Sequence, residues 1–412
     1  MGSFSEKVLW YKAEQYLGKY RPTLVAVAGT YGRTMAAYAI ESATHAHRHV
    51  RTVASPSAPI AIAEGVLGER RKGGEGLLSL LMKQGVKEIS EFEPNTIIAE
   101  VPLFAPRVAQ GVLARLVPRV LVLTHIGSEY LDMFGSQEMI AHEYRALAQS
   151  LASDAVVILN SDDAQLNEIR GHIGRSVITY GVHSEADIRA TRVTRSEGGR
   201  GLFLEIASHG VRYEVFLQHL FAKQHLYGVL AGIATAHGLG VSVQDAIAGI
   251  KHMHPPGGSF SLPNGSQGPS IIDDTGGQSP ESMESSLKSF TVFPSSGKKI
   301  AVLGDIENLA SYSIHAHEKI GILAAHSAQI IAFVGDAMRH AQAAALKTGL
   351  PIDTHHFIDS TEAAVWLADH SKQGDAIYIG GGKRMNMKKV IQKLLEKKHT
   401  HGILTKFGDV VR

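Results

Sequence analysis

Leu24-Val25-Ala26-Val27-Ala28-Gly29-Thr30-Tyr31-Gly32-Arg33-Thr34 decides the reading of this chain. Its first five residues are an apolar run that predicts a buried parallel strand. Two glycines and hydroxyl residues follow, and helical spacing resumes from Met35 to Ile40. A strand, a glycine turn and a helix N-terminus in that order make a phosphate cradle, because backbone N–H groups can close on phosphate oxygens. Thr34 stands where a hydroxyl helps to hold Mg²⁺. Arg33 stands where such loops carry a lysine.

Working outward, more apolar strands are expected at Val50–Val53, Thr96–Glu100, Arg119–Thr124 and Ala155–Asn160, with helical stretches between them. A Gly-Gly break falls at residues 73 and 74. Alternating strands and helices predict a parallel α/β sheet covered on both faces, with ligands at the carboxyl ends of the strands. Glu100, Thr124, His125 and Asn160 to Asp163 fall there. Residues 188–193, 201–206 and 211–216 alternate in polarity and predict an antiparallel meander appended to that sheet. Helices are expected from about Ala222 to Ala236 and from Val243 to Met253.

His254-Pro255-Pro256-Gly257-Gly258 reads as a boundary. Beyond it, strands at Ser270–Asp274, Lys299–Asp305, Ile330–Asp336 and Asp375–Gly382 predict a second doubly wound, Rossmann-like domain. The Gly-Asp strand endings could mark a nucleotide cleft, but plain strand termination and helix capping is the favoured reading of each. Gly380-Gly381-Gly382 lacks the Gly-x-Gly-x-x-Gly spacing of a dinucleotide fold. The organisation is thus an amphipathic helix over 1–20, a P-loop ATPase domain over 21–255 and a C-terminal domain over 256–412. Leu9, Ala13, Tyr16 and Tyr20 form the helix's apolar stripe, widened by Phe4, Trp10 and Tyr11. It would pack on the sheet or on a partner subunit.

The totals exclude several classes. The chain has 412 residues and a formal charge of +2, from 41 basic and 39 acidic side chains, so no nucleic-acid footprint is expected. No cysteine is present, which removes disulfides, thiolate zinc sites and thiol nucleophiles. No stretch approaches a membrane span and no signal layout opens the chain, so a cytoplasmic protein is expected. His45, His47 and His49 read as solvated surface residues.

Six stretches, in order, resemble the Mur ligase family, most closely its branch that adds the D-alanyl-D-alanine dipeptide. They are Gly29–Thr34, Thr124-His125-Ile126-Gly127 with Phe134-Gly135-Ser136, and Leu159-Asn160-Ser161-Asp162-Asp163. The others are Ile271-Ile272-Asp273-Asp274 with Ser279–Met283, Ala301–Asp305 with Ser313 and His317, and Met385-Asn386-Met387. The resemblance implies ATP and Mg²⁺ as cofactors and an amide ligation in which a carboxylate is activated as an acyl phosphate and attacked by an amine. It implies a small-molecule carboxylate and an amino acid or dipeptide as substrates. By the same resemblance Gly29, Thr30, Gly32, Arg33 and Thr34 cradle phosphate, and Thr34 and Glu100 hold metal. Asp274, Asp305 and His317 would contact nucleotide or incoming amine, with Arg33, His317 and Asp274 catalytic.

Residues 1–20 stand where the family has a domain for a UDP-sugar precursor. Other departures gather in the expected cleft. Tyr31 replaces a small polar residue, Tyr130 a metal-binding histidine and Tyr144 a carbamylated lysine. Leu226 and Val229 replace asparagines after His225, Ser259 an arginine, and Gly276-Gly277 a Tyr-Asn pair. The expectation is a ligase with altered or lost catalysis. The alternatives are a site rebuilt on Arg33, Arg145 and Glu100, and a silent homologue that binds a protein partner or a second copy through residues 1–20.

Overall fold

The computed structural model describes residues 4–68, 94–196, 199, 201–263, 268–276 and 279–400, with the backbone alone for 397–400. The expected glycine break at 73 and 74 and the Gly277 position lie outside them. The chain divides into two compact units, Met1–Pro256 and Gly257–Arg412.

The first unit is built on a nine-stranded sheet in the order β2-β3-β1-β4-β5-β6-β7-β8-β9. These strands are β1 (Thr23–Ala28), β2 (Val50–Val53), β3 (Thr96–Glu100), β4 (Val120–Leu123), β5 (Val156–Asn160), β6 (Ser176–Gly181), β7 (Ile188–Arg195), β8 (Leu202–Ser208) and β9 (Val211–Leu217). Pairing is parallel up to β7, and β7 to β9 form the antiparallel meander. Strand β6 joins the meander to the parallel part, so all nine strands make one sheet. Because β3 and β4 flank β1 on opposite sides, the strand order reverses at β1. A crevice opens there beyond the carboxyl ends.

Alternate residues of β1 feed separate cores. Leu24, Ala26 and Ala28 face a layer containing α1 (Phe4–Tyr20), α3 (Pro59–Val66), α4 (Val108–Leu116), α5 (Gln137–Gln149) and α6 (Ala164–Arg170). Val25 and Val27 face α2 (Arg33–Thr44), α7 (Lys223–Gly238) and α8 (Val243–Ile250). Helix α2, which begins at the glycine turn, lies hard against α7: a Cβ on Gly232 would stand 2.8 Å from Ala39. That close approach fixes the direction of the loop's helix.

Helix α1 buries Leu9, Trp10 and Ala13, a stripe shifted from the expected one by the indole of Trp10. The Arg115 guanidinium covers that ring at 5.2 Å and pairs with Glu14 at 2.6 Å. The helix's apolar stripe is therefore spent within its own unit, and Phe4 and Tyr11 stay exposed.

The second unit is a five-stranded parallel sheet in the order β10-β14-β11-β12-β13. Its strands are β10 (Ser270–Asp274), β11 (Lys299–Gly304), β12 (Ile330–Val334), β13 (Asp353–Phe357) and β14 (Ala376–Gly380). The helices are α9 (Pro280–Thr291), α10 (Ser313–Ser327), α11 (Met338–Lys347), α12 (Ser360–His370) and α13 (Lys388–Thr400). Apolar residues of α12 and α13 pack on one face of this sheet. Edge strand β13, with the sequence Asp-Thr-His-His-Phe, is a strand that apolar patterning does not single out.

Candidate active site

The glycine turn is clasped to the end of β4. Gly29 has φ +142° and a Cβ there would meet Thr124 Oγ1 at 2.0 Å, so glycine is required for this approach. The Thr30 N–H donates to the His125 carbonyl at 2.8 Å, and its hydroxyl accepts from the Gly127 N–H at 2.8 Å. The Thr124 hydroxyl donates to the Tyr31 carbonyl at 2.7 Å. Thr30 is 1% exposed and its main-chain donor is engaged by the His125 carbonyl. Gly32, at φ +83°, caps α2 without a side-chain hydrogen bond. The helix's first N–H groups are the donors this loop offers to an anion.

Arg33 turns back into the loop. Its Nη1 donates to the Gly29 carbonyl, to the Thr30 carbonyl at 2.8 Å and to Glu129 Oε2 at 3.3 Å. The side chain is 15% exposed. Burial disfavours its charge, but the Glu129 and Glu100 carboxylates, and the Tyr130 and Tyr144 phenols once ionised at high pH, favour the charged form, and its pKa stands above the ordinary arginine value. Burial likewise pushes the Tyr130 and Tyr144 phenols above the usual range, so both are neutral at physiological pH. Tyr144 is fully buried and its hydroxyl makes no hydrogen bond. Tyr130 holds φ +74°, a strained conformation for a residue with a bulky side chain.

These residues do not fit a Mg²⁺ ion. Glu100 is 2% exposed and faces a guanidinium, whereas the Thr34 hydroxyl sits 3.4 Å from Ser55 Oγ on the exposed side. Neutral phenols are poor ligands for a hard cation. Among the described residues, no group of three His, Asp or Glu side chains could hold a metal.

Two features went unassigned from the sequence. His125 Nδ1 lies 2.5 Å from Asp163 Oδ2, and its ring packs on Tyr31 with centroids 4.3 Å apart. Asp163 also accepts from the Ile126 and Leu166 N–H groups, both at 2.9 Å. Burial would raise its carboxyl, but His125 and these N–H groups hold it below the usual range. Both residues stood out by their place at strand ends and within the stretches that carry the resemblance, with no role given to either. Glu129, Arg33's counter-ion, carried no signal beyond its position beside Tyr130.

In the second unit the expected ligand residues also make structural hydrogen bonds. Asp274 accepts from the Phe260 N–H at 3.0 Å and from the Tyr378 hydroxyl at 2.8 Å. Asp305 caps α11 through the Met338 N–H at 2.9 Å. His317 is fully buried; Nδ1 donates to the Ser313 carbonyl at 2.7 Å and Nε2 accepts from the Ile306 N–H at 3.1 Å. A neutral imidazole has one donor and one acceptor, so His317 has none left for an amine or nucleotide. His225 similarly accepts from the Phe221 and Ala222 N–H groups, at 3.2 and 3.3 Å, as a helix cap.

The family of Mur ligase middle domains matches residues 27–236, and that of Mur ligase glutamate ligase domains matches residues 260–382. The chain belongs to the Mur ligase family. Among its relatives is the UDP-N-acetylmuramoyl-tripeptide–D-alanyl-D-alanine ligase of Bacillus subtilis, 24% identical over 286 residues, covering 69% of this chain and 61% of the relative. Another is the UDP-N-acetylmuramoyl-L-alanyl-D-glutamate–2,6-diaminopimelate ligase of Bacillus cereus, 26% identical over 294 residues, covering 66% and 54%. This Mur ligase family member therefore spans about three fifths or less of those relatives' lengths.

Solved structures share the fold. The MurF ligase of Thermotoga maritima, in complex with ADP, gives a TM-score of 0.79 at 19% identity, covering 98% of this chain and 86% of that one. A pseudomurein peptide ligase type C from Methanothermus fervidus gives 0.66 at 14% identity, covering 91% and 79%.

Proposed function

We propose that this Mur ligase family member keeps the scaffold of an ATP-dependent acid–amino acid ligase while its Mg²⁺-dependent ligation is altered or lost. The observation that carries the reading is Arg33, whose guanidinium is bound by Gly29, Thr30 and Glu129. Acyl phosphate formation needs a cation at the transferred phosphoryl group and a metal to neutralise developing charge. Here the cation is engaged by the loop itself, and the residues around it suit no metal. The names of the relatives make a carboxylate acceptor and an amino acid or dipeptide the substrate classes to test, within peptidoglycan precursor synthesis.

The deciding experiment is ADP release from Mg²⁺-ATP across a panel of carboxylates and amines. No ADP above blank supports the proposal. Release coupled to an amide product overturns it in favour of a second reading, a working ligase with a rebuilt site. That reading draws on the uncapped N-terminus of α2 and the half-buried Thr34 beside it.

A further inference from the structure

We infer that the Arg33 guanidinium is the resident cation of this loop and takes the place of a divalent metal beside the Glu100 and Glu129 carboxylates. The inference deepens the proposed function and rests on it.

Glu100 supplies the first argument. It closes β3, in which every residue is buried, and it stands in register with Val27 of β1, two residues before the glycine turn. An ionised carboxylate at such a depth is stable only beside a compensating positive charge. The Arg33 guanidinium pairs directly with Glu129 at 3.3 Å, and Glu100 is among the carboxylates whose charge it feels.

The second argument is the use of oxygen atoms. A hard divalent ion needs several carbonyl, carboxylate or water oxygens around it. The Gly29 and Thr30 carbonyls and Glu129 Oε2 are oxygens of that kind, and Arg33 Nη1 donates to all three. One guanidinium nitrogen, Nη1, thus reaches oxygens that a metal would need as ligands, while Nε is buried without a hydrogen-bond partner. A metal entering the same space would meet a fixed positive charge.

The third argument is the wall. Tyr130 and Tyr144 are 7% and 0% exposed, and both bring neutral phenols to the guanidinium instead of anionic or imidazole ligands. They fill volume and exclude water without adding charge. Resident cation, carboxylates and neutral wall are one arrangement.

Titration of the full chain with Mn²⁺, read by the electron paramagnetic resonance signal of the free ion, tests this. The native protein is expected to leave the signal as in buffer. Arg33→Met, which keeps the aliphatic stem and removes the charge, is expected to take up one equivalent. Adding Glu100→Gln should weaken that uptake by about tenfold or more. Arg33→Gln is the second neutral variant should Arg33→Met not fold. Uptake of one equivalent by the native protein overturns the inference whatever the variants do. So does a folded neutral variant that gains no site. Amide formation that requires Mg²⁺-ATP, without Mn²⁺ uptake by the native protein, would overturn the proposed function and leave this inference standing; native Mn²⁺ uptake without ligation would do the reverse.

Discussion

His125 Nδ1 and Asp163 Oδ2 stand 2.5 Å apart, and this contact ties the end of β4 to the turn after β5 directly beneath Tyr31. One carboxylate serves as counter-ion to the imidazole, as N-cap of α6 and as acceptor for the Ile126 N–H.

Asp163→Ala is expected to cost about 2–3 kcal/mol, since it removes a cap and leaves a buried N–H unpaired. Asp163→Asn should cost about 1 kcal/mol, because an amide can still cap. The native carboxyl is held below its unfolded pKa, so its contribution is present above the unfolded value and is lost as pH falls through the folded one. Denaturant melts below pH 5 should show a shallower acid decline for Asp163→Asn than for the native chain.

Asp162 gives a second acid test. Burial would raise its carboxyl, but the N–H groups of Val182, Ser184 and His183 and the Tyr227 hydroxyl hold it down to about 2. It should remain ionised in the folded protein at pH 3, where the unfolded chain is mostly protonated. Carboxyl carbon chemical shifts followed between pH 5 and pH 2 would report this. Asp162→Ala should lower stability by about 1.5–3 kcal/mol at neutral pH.

His317 is expected to behave as a structural residue. Burial lowers its pKa against the opposing effect of its bond to the Ser313 carbonyl, so it is neutral in the fold. The unfolded chain then binds the extra proton, and stability from this group is full above the unfolded value near 6.5 and falls as pH drops below it. His317→Ala should lose about 1–3 kcal/mol by leaving the Ile306 N–H unpaired. Chemical denaturation at pH 5.5 and 7.5 should show that loss, with a smaller pH dependence in the variant.

Gly29→Ala should destabilise the first unit by at least about 1–3 kcal/mol. Its positive φ and the Thr124 hydroxyl both oppose a methyl group there. Thr124→Ser would not relieve the clash, which is with Oγ1, whereas Thr124→Ala would. Thermal melts of the single and double variants measure the rescue.

Much of the architecture was legible because β1, β3, β4 and β5 are apolar runs closed by a glycine or a polar residue. Strands β6 and β13 were not named, since Ser176–Gly181 and Asp353–Phe357 mix polar and apolar residues; β13, at an edge, meets a neighbour on one side alone. In the site, the positions of Arg33, Glu100, Tyr130 and Tyr144 were readable and their company was not. A guanidinium can reach outward to a phosphate or back to carbonyls, and which it does depends on the turn's dihedral angles. His317, Asp274 and Asp305 illustrate the opposite limit. Polar residues at strand ends look alike in sequence, whether they meet a ligand or satisfy the N–H groups of the next loop.

The most direct test of the whole account is ATP binding to the full chain by calorimetry, with and without Mg²⁺, beside Arg33→Lys. The account predicts that the native protein shows no Mg²⁺-dependent binding, because Arg33 already occupies the cation's place between the loop carbonyls and Glu129. Tight binding that appears only with Mg²⁺ in the native protein would contradict it.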